Sequence, residues 1–496
     1  MVKNLRVGVN IKLVPALDPK GENFVMKKLL FAAVAAMCVT LAGAETARRG
    51  PVRLKLGVCS DIHSGPWDHG YGFASACKWW KKEKIDALVI AGDIADCGDV
   101  ASCGYVRDII QDAFGDDWPE MVVCWGNHDN NGNKATGLTA ENRAKVLKEF
   151  FRVSEAGDAN IYIKTVKGYP FVVRHWQGSW QNKADVGAFL AAHAADVKGP
   201  KPFFYVQHPH LKGTCHGPWV WGQDDGRASE AMRQYPNAVC FSGHSHAPLS
   251  DERAAWKGEF ISIGTASMTN MGYLPGRENS NWGVNDPKQP ALSNKLGCHA
   301  QLVSVYDDAL VIERRSADFE GARAKIGDDW VVPLGKDTPW TFEERAAKSV
   351  APAFADGAAP KVERRKVKPK DEKEPDDGEM DLALLEKSKK GDQWEWVVTF
   401  PTAPEHDGRP RAFEYEVTAV CDSWDFEKRL TKRVWSERFM QPFDKDPKGY
   451  CVFADKELPP VLGAGRVRFE VRPVSPFGKL GEPIVASVSS PTHLRN

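Results

Sequence analysis

Short apolar runs alternate with amphipathic segments between residue 53 and about residue 332 of the chain. Continuous apolar runs of strand length are typical of buried strands, and segments with apolar residues three and four apart are typical of helices. The predicted strands are Leu54–Cys59, Ala87–Ala91, Met121–Trp125, Phe171–His175, Phe203–Val206, Ala238–Ser242 and Glu259–Ile263. The predicted helices are Tyr71–Glu83, Ala140–Phe151 and Lys183–Asp196. This alternation predicts a layered α/β domain over residues 50–340.

Five of the predicted strands are followed directly by a polar cluster. The clusters are Asp61-Ile62-His63, Gly92-Asp93, Gly126-Asn127-His128-Asp129, His208-Pro209-His210 and Gly243-His244-Ser245-His246. Sites in α/β sheets form at the carboxyl ends of the strands, so we expect the five clusters to meet at one edge.

The side chains in these clusters suit metal coordination. Asp61 and His63 are two positions apart, which directs both side chains to the same side of an extended chain. Asp93 offers a carboxylate that can bridge two cations, and Asn127 offers an amide oxygen. Imidazole nitrogens come from His208, His244 and His246. A set of nitrogen and oxygen ligands without thiolate favours Mn, Fe, Zn or Co.

The five clusters, in this order, resemble the calcineurin-like metallophosphoesterase family over about residues 53–270. The resemblance implies a double-sheet α/β sandwich flanked by helices, and hydrolysis of phosphomonoesters or phosphodiesters. It also implies two divalent or trivalent metal ions (Mn, Fe or Zn) and a hydroxide between them that attacks phosphorus in line. One ion would be held by Asp61, His63, Asp93 and His246. The other would be held by Asp93, Asn127, His208 and His244.

The same resemblance implies catalytic roles for two residues that are not ligands. His128 would stabilise the transition state or protonate the leaving oxygen, and Asp129 would fix the orientation of its ring. Asp96 stands where purple acid phosphatases carry a tyrosine ligand, so we expect no tyrosinate-coloured iron site. Asp96 is either a carboxylate that supports the site or a turn residue.

Other residues of this domain leave alternatives open. His210 supports the site, faces the substrate or is structural, whereas His175 and His216 are predicted to be ordinary surface or loop residues. The Trp79-Trp80 pair favours helix packing over a substrate platform. The polar loops flanking the clusters are predicted to contact the substrate, and they are Asn130–Ala140 and Lys212–Gly226, the second with Trp219 and Trp221.

The N-terminal residues have the pattern of an export signal. Met26 is followed by Lys27-Lys28, an apolar stretch and Ala42-Gly43-Ala44, which predicts a signal peptide over residues 26–44 with cleavage after Ala44. Residues 1–25 are then either a mis-assigned start or a disordered tail. We therefore predict a periplasmic or extracellular protein. No later segment reaches the roughly 18 apolar residues of a transmembrane helix.

Composition changes beyond residue 340. Residues 349–392 carry Ala-Pro repeats and mixed charges, which predicts a linker with at most a short helix at Met380–Lys389. Residues 393–492 alternate apolar and polar positions in short runs, which predicts a small all-β sandwich. The run Arg466–Gly478 resembles the late strands of fibronectin type III domains, and Ig-like folds share this architecture. Such a domain is typical of a spacer or of docking to a cell surface or glycan.

Charge and cysteine content exclude some classes of function. The 496 residues carry a net charge of zero, which gives no electrostatic reason to expect a nucleic-acid polymer as partner. The eleven cysteines lack the spacing of a structural zinc module. Cys421 and Cys451 are either a disulfide or two buried thiols. The rival to an enzyme is a catalytically inactive, exported surface-binding protein that uses the hydrolase fold as a scaffold.

Overall fold

The structure is a computed structural model, and it describes residues 49–65, 70–130, 137–157, 159–176, 185–217, 222–272, 276–280, 298–317, 323–335, 337–366, 394–422, 427–436, 448–458 and 466–489. The predicted signal peptide and residues 1–25 lie outside these ranges, and so do Met380–Lys389, Trp219 and Trp221. Among the described helices, none combines the length and apolar character that crossing a bilayer needs.

The strands, in chain order, are β1 (Leu54–Cys59), β2 (Ala87–Ala91), β3 (Glu120–Cys124), β4 (Ile161–Val166), β5 (Tyr169–Arg174), β6 (Phe203–Val206), β7 (Ala238–Ser242), β8 (Ala255–Lys257), β9 (Ile261–Gly264), β10 (Cys298–Val305), β11 (Ala309–Ala317), β12 (Arg323–Lys325), β13 (Trp330–Pro333), β14 (Lys361–Lys366), β15 (Trp394–Pro401), β16 (Glu414–Asp422), β17 (Glu427–Trp435), β18 (Lys448–Ala454), β19 (Arg466–Val474) and β20 (Ile484–Ser489). The α-helices are α1 (Tyr71–Glu83), α2 (Val100–Phe114), α3 (Ala140–Phe151), α4 (Val186–Ala192), α5 (Ala194–Val197), α6 (Arg227–Met232) and α7 (Phe342–Lys348).

Two sheets form the first domain. One has the strand order β12-β11-β10-β1-β2-β3, with β13 beside β11, and its strands β1, β2 and β3 are parallel. The other has the order β4-β5-β6-β7-β9-β8, with β5, β6, β7 and β9 parallel. The parallel strands therefore end at a common edge in each sheet, and all five polar clusters follow such strands.

The two sheets share a buried core because alternate residues of each strand face opposite sides. Phe204 of β6 and Phe241 of β7 belong to the apolar cluster that also contains Val58 of β1. Their neighbours Tyr205 and Cys240 belong to a second apolar cluster with residues of α4 and α6. The domain is thus the double-sheet α/β sandwich with flanking helices that the sequence predicts.

Helix α1 packs directly on the first sheet. A side chain at Gly57 of β1 would lie 2.7 Å from the Trp80 ring, so glycine makes room for this large residue. Trp80 is fully buried, and its indole N–H donates to the carbonyl of Gln301 at 3.0 Å. Trp79 is also buried. The tryptophan pair therefore packs the helix, as predicted.

The C-terminal region is all-β. Two antiparallel sheets, β14-β15-β18 and β17-β16-β19-β20, enclose an apolar core with Trp396, Tyr415 and Phe469. Cys421 and Cys451 are buried free thiols. The likeness to fibronectin type III stays a prediction.

The structure differs from the sequence interpretation at one strand of this region. Residues 361–366 fall in the range interpreted as a linker, but they form β14, which pairs with β15 from Lys361 with Thr399 to Lys366 with Trp394. The charged side chains are largely exposed on an edge strand, so composition alone suggests a linker while backbone pairing makes a strand.

Candidate metal centre

The polar clusters of the two sheets meet across the sheet interface. The His244 backbone N–H donates to Asp61 Oδ2 at 3.0 Å, which joins the end of β7 to the end of β1. His208 Nδ1 lies 2.8 Å from the carbonyl oxygen of Ala91, which joins the end of β6 to the end of β2. The expected convergence of the clusters is therefore present in the fold.

Asp61, His63 and His246 form one group whose potential ligand atoms all lie within 4.8 Å of one another. His246 Nε2 is 3.0 Å from Asp61 Oδ1 and 3.1 Å from His63 Nε2. Two nitrogen ligands of one ion lie about 3.0 to 3.4 Å apart when each metal bond is about 2.1 Å. The spacing of these atoms therefore fits a shared cation.

Asp93, His208 and His244 form a second group within the same limit. His208 Nε2 is 3.0 Å from Asp93 Oδ2 and 3.1 Å from His244 Nδ1. The same Asp93 oxygen is 3.7 Å from His63 Nε2, in the first group. One carboxylate oxygen thus faces histidines of both groups, as a bridging ligand must.

Three of these imidazoles are held by an oxygen at Nδ1, which leaves Nε2 directed at the centre. His63 Nδ1 is 3.1 Å from Asp96 Oδ1, and His208 Nδ1 is bound to the Ala91 carbonyl. His246 Nδ1 is 2.9 Å from the carbonyl oxygen of Asn270. Partners of this kind fix the tautomer and the ring orientation of ligating histidines.

The backbone at these positions is unusual. Five of the seven predicted ligands, namely Asp61, His63, Asp93, His244 and His246, have positive φ angles between 46° and 71°. Residues with a Cβ rarely adopt this left-handed conformation, and such strain concentrates at functional sites. The sharp turns direct neighbouring side chains into the space between the sheets.

Burial and mutual charge shift the pKa values of these groups strongly. Burial alone would raise the pKa of Asp61, but His246 and His208 lower it well below its ordinary value. Burial lowers the pKa of His63, but hydrogen bonds to Asp61 and Asp96 raise it to about 10. Shifts of this size in a buried cluster mark a candidate functional site.

Two buried oxygen atoms of the predicted ligands fit a cation. Asn127 Oδ1 accepts no hydrogen bond from the described residues, and Asp61 Oδ1 faces the His246 imidazole at 3.0 Å. Buried oxygens without a donor are costly. A cation would satisfy both, and the donor set of carboxylate, amide and imidazole suits Mn, Fe or Zn. The residues present therefore fit the metal ions that the sequence implies.

His128 lies beside the two groups and is more open to solvent. Its side chain is 37% exposed, against 8% for His63 and 0% for His208. Its backbone N–H donates to Asp93 Oδ1 at 2.9 Å, and its ring meets the edge of the His63 ring at 4.5 Å. With His63 and Asp93 it also forms a third group of potential ligands.

Asp96 holds the His128 ring. The Nδ1 atom of His128 is 2.8 Å from the Asp96 carbonyl oxygen and 3.5 Å from its carboxylate. The hydrogen bond to Asp96 raises the pKa of His128 above its ordinary value. Because Asp96 also binds His63, it is a carboxylate that supports the site.

The orienting role predicted for Asp129 is wrong. Its buried carboxylate accepts backbone N–H groups of Ile94 and Ala95 at 3.0 and 2.9 Å, and that of Gly126 at 2.7 Å. Asp129 therefore ties the turn after β3 to the turn after β2, while Asp96 takes the predicted contact with the imidazole. Burial and the charge of Asp93 raise the pKa of Asp129 to about 6.

Three other histidines of the first domain, His175, His210 and His216, are buried. His175 and His216 lie in loops, which is one of the two predicted alternatives, but they are 6% and 5% exposed and so are not surface residues. His210 binds Ser242 Oγ through Nδ1 at 2.8 Å and Ser245 Oγ through Nε2 at 2.6 Å. Since Ser245 lies between two predicted ligands, His210 supports the turn that carries them.

Comparisons with known proteins agree with this geometry at the level of the domain. Residues 54–248 match the model of the calcineurin-like phosphoesterase family. A search of curated proteins found no match.

Several solved structures have a similar chain path. One is a dimetal phosphatase from Danio rerio, with 11% sequence identity and a TM-score of 0.37. The match covers 57% of this chain and 100% of the phosphatase chain. Vacuolar protein sorting 29 from Cryptosporidium parvum is 10% identical over 56% of this chain and 97% of its own, with a TM-score of 0.28. A 5'-nucleotidase precursor from Thermus thermophilus is 13% identical over 59% of this chain and 57% of its own, with a TM-score of 0.22.

The two sheets with polar strand ends, together with the family match, define a metallophosphoesterase α/β fold. Residues 54–248 form a calcineurin-like phosphoesterase domain, and the C-terminal region adds separate all-β sheets.

Proposed function

We propose that the protein hydrolyses phosphate esters with two metal ions. The observation that supports this most is the position of Asp93, whose Oδ2 atom faces His208 at 3.0 Å and His63 at 3.7 Å. One ion would be held by Asp61, His63, Asp93 and His246, and the other by Asp93, Asn127, His208 and His244. When bound, two such ions lower the pKa of water and offset charge on the phosphoryl oxygens.

The other residues of the site position a proton and the backbone. Hydrolysis forms a bond from phosphorus to the oxygen of water and breaks the bond to the leaving oxygen, which must gain a proton. His128 can donate that proton because it is the more exposed imidazole and Asp96 stabilises its protonated form. Asp129 keeps the turn that carries His128 fixed against β2.

The rival function is an inactive scaffold that binds a surface. A scaffold would not need ligand atoms directed at a common centre. Here three imidazoles are fixed by oxygen partners, and the buried Asn127 Oδ1 accepts no hydrogen bond from the described residues. Keeping such a site without a cation costs stability, so the arrangement favours an enzyme.

The test uses the purified full chain and two model esters. Protein supplemented with Mn2+ or Zn2+ should hydrolyse bis-p-nitrophenyl phosphate, p-nitrophenyl phosphate or both, and the ratio of the two rates assigns diester or monoester preference. The control is Lys361→Ala, an exposed residue of β14 outside the phosphoesterase domain. Two bound metals per chain with no hydrolysis of either ester would favour the scaffold.

We also propose export to the periplasm or beyond, supported by the sequence of residues 26–44. N-terminal sequencing of secreted protein should begin at Glu45, and a mature chain that retains Met1 would exclude this cleavage. Docking of the C-terminal region to a cell surface or glycan stays a prediction.

A further inference from the structure

The segment after β9 touches two predicted ligands of the same ion. Ser267 Oγ donates to the Asp61 carbonyl oxygen at 3.1 Å, and the Met268 backbone N–H donates to the same oxygen at 3.1 Å. The Asn270 carbonyl oxygen lies 2.9 Å from His246 Nδ1, and the Gly272 N–H donates to the His246 carbonyl at 2.8 Å. This segment, residues 267–272, therefore fixes both the backbone at Asp61 and the ring of His246.

The continuation of the same segment is bound by the C-terminal sandwich. Arg277 donates through Nε to Glu414 Oε2 of β16 at 2.7 Å, and its guanidinium lies 4.4 Å from the centre of the Trp435 ring of β17. Asn279 pairs with the Trp435 backbone twice, accepting from its N–H at 2.7 Å and donating to its carbonyl at 3.1 Å. Residues 276–280 are therefore held against β16 and β17.

This contact is buried. Glu414 and Trp435 are each 3% exposed and Asn279 is 7% exposed. Phe413 directly precedes β16, and Trp435 is the last residue of β17. Both side chains are nevertheless part of the main apolar cluster of the first domain. Buried polar groups depend on their partners, so the pairing of this segment with the sandwich is specific and not easily exchanged for water.

We propose that the C-terminal sandwich positions the metal centre. It clamps residues 276–280 and so orders the connected residues 267–272, which hold His246 and Asp61 in the geometry that one ion needs. The proposal rests on the proposed function for the identity of the ligands. In this proposal Arg277 and Asn279 are positioning residues. They act on His246 through Asn270, and they do not act on the substrate.

A spacer or docking module would meet the catalytic domain differently. Interfaces between independently moving domains are more polar and more exposed, and they tolerate relative motion. Here aromatic side chains of the sandwich complete the core of the other domain, and the bound segment is continuous in sequence with residues that contact two predicted ligands. The buried contact therefore favours a role inside the enzyme.

The test compares Arg277→Ala with a matched control, Arg364→Ala. Arg364 also stacks on a tryptophan, with its guanidinium 4.3 Å from the Trp394 ring, and also pairs with a carboxylate, that of Asp455. The two arginine side chains are 20% and 18% exposed. The variants thus remove the same chemistry, but the Arg364 pair lies within the sandwich, away from residues 267–280.

Metal-free protein is titrated with Mn2+ by calorimetry, and kcat and KM are measured for the preferred ester. Arg277→Ala should weaken one of the two Mn2+ sites about tenfold, the magnitude typical of losing a group that orients a metal ligand, and leave the other unchanged. Asn279→Ala should weaken the same site, and Arg277→Lys, which keeps a charge opposite Glu414, should recover part of the affinity. Arg364→Ala should bind both ions like the wild type.

The outcomes separate this proposal from the proposed function. If the wild type binds two ions and hydrolyses an ester but Arg277→Ala and Asn279→Ala match Arg364→Ala in metal affinity, the positioning role is refuted. If the wild type binds no metal or hydrolyses neither ester, the proposed function fails instead. Should Arg277→Ala not fold, Asn279→Ala decides alone.

Discussion

Two neighbours in one turn, Asn127 and His128, have different proposed tasks. The amide oxygen of Asn127 is buried and accepts no hydrogen bond from the described residues. His128, in contrast, is partly exposed, and Asp96 holds its ring. We expect Asn127→Ala to lower the metal content from two ions toward one. We expect His128→Ala to keep both ions and to lower kcat by about 10² to 10⁴, the usual contribution of a proton donor. Elemental analysis of dialysed protein, combined with ester kinetics, checks both. Equal metal loss in the two variants would make His128 a ligand.

Asp96 gives a pH-dependent test at the same scale. Its hydrogen bond raises the pKa of His128, so the protonated imidazole persists to higher pH than it would alone. In Asp96→Asn the pKa of His128 falls, and the alkaline limb of the kcat profile should move to lower pH. The matched change Asp99→Asn affects the cap of helix α2 and should leave the limb in place. If the alkaline limb is the same in Asp96→Asn as in the wild type, His128 is not the proton donor.

Stability at low pH depends on His175. Its Nδ1 accepts the Trp125 backbone N–H at 3.1 Å, and burial together with the charge of Arg143 lowers its pKa to about 3. The unfolded chain takes up the proton first, near pH 6.5, so this contribution to stability is complete above about pH 6.5 and is lost as the pH falls toward 3. Urea unfolding of His175→Gln should therefore show a shallower loss of stability over that range. The control is His193→Gln, at a residue whose side chain is 35% exposed, and slopes equal to the wild type in both variants would contradict this account.

Residue types could be predicted from the sequence, but their partners could not. The ligand candidates follow strands in order, so Asp61, Asp93 and His208 could be identified from their positions along the chain. The partner of His128 could not, because Asp129 is adjacent in sequence whereas Asp96 reaches the ring across a turn. The carbonyl of Asn270 carries no sequence signal, since any residue has one.

At the scale of elements, the glycines of the clusters make the close approach of the strands possible. A side chain at Gly126 would overlap the Asp93 carboxylate and backbone nitrogen, and one at Gly243 would overlap Asp61 and Ser60. We expect Gly126→Ala to displace Asp93 and to lower both metal content and kcat at least tenfold. Gly104→Ala is the control, because its added methyl would meet Phe150 at an ordinary 3.8 Å within helix α2. Full metal content in Gly126→Ala would show that the turn can move without loss.

Element prediction succeeded for continuous apolar runs and failed for segments of mixed or charged composition. Strands β1, β2, β6 and β7 are continuous apolar runs, and their observed bounds match the predicted ones. Strand β14 is a charged segment that becomes a strand by pairing with β15. Helix α2 and the strands β4, β10 and β11 were also missed, because their mixed composition depends on tertiary contacts for its structure.

At the scale of the whole molecule, residues from Val52 onward form one compact unit. Trp435 of the sandwich belongs to the core of the first domain, and residues 276–280, which lie between β9 and β10, bind the sandwich in return. Composition indicated separate modules joined by a linker. The buried contact between them could not be predicted from the sequence, because it pairs residues more than 130 positions apart.

The most direct test of the two-metal account is the rate of ester hydrolysis as metal-free protein receives Mn2+ in measured equivalents. Both ions are required in this account, since Asp93 faces both ligand groups and each ion stabilises part of the charge on phosphorus. The rate should stay low through the first equivalent bound and reach its plateau at two. A plateau at one equivalent, or two bound equivalents without hydrolysis of either ester, would contradict it.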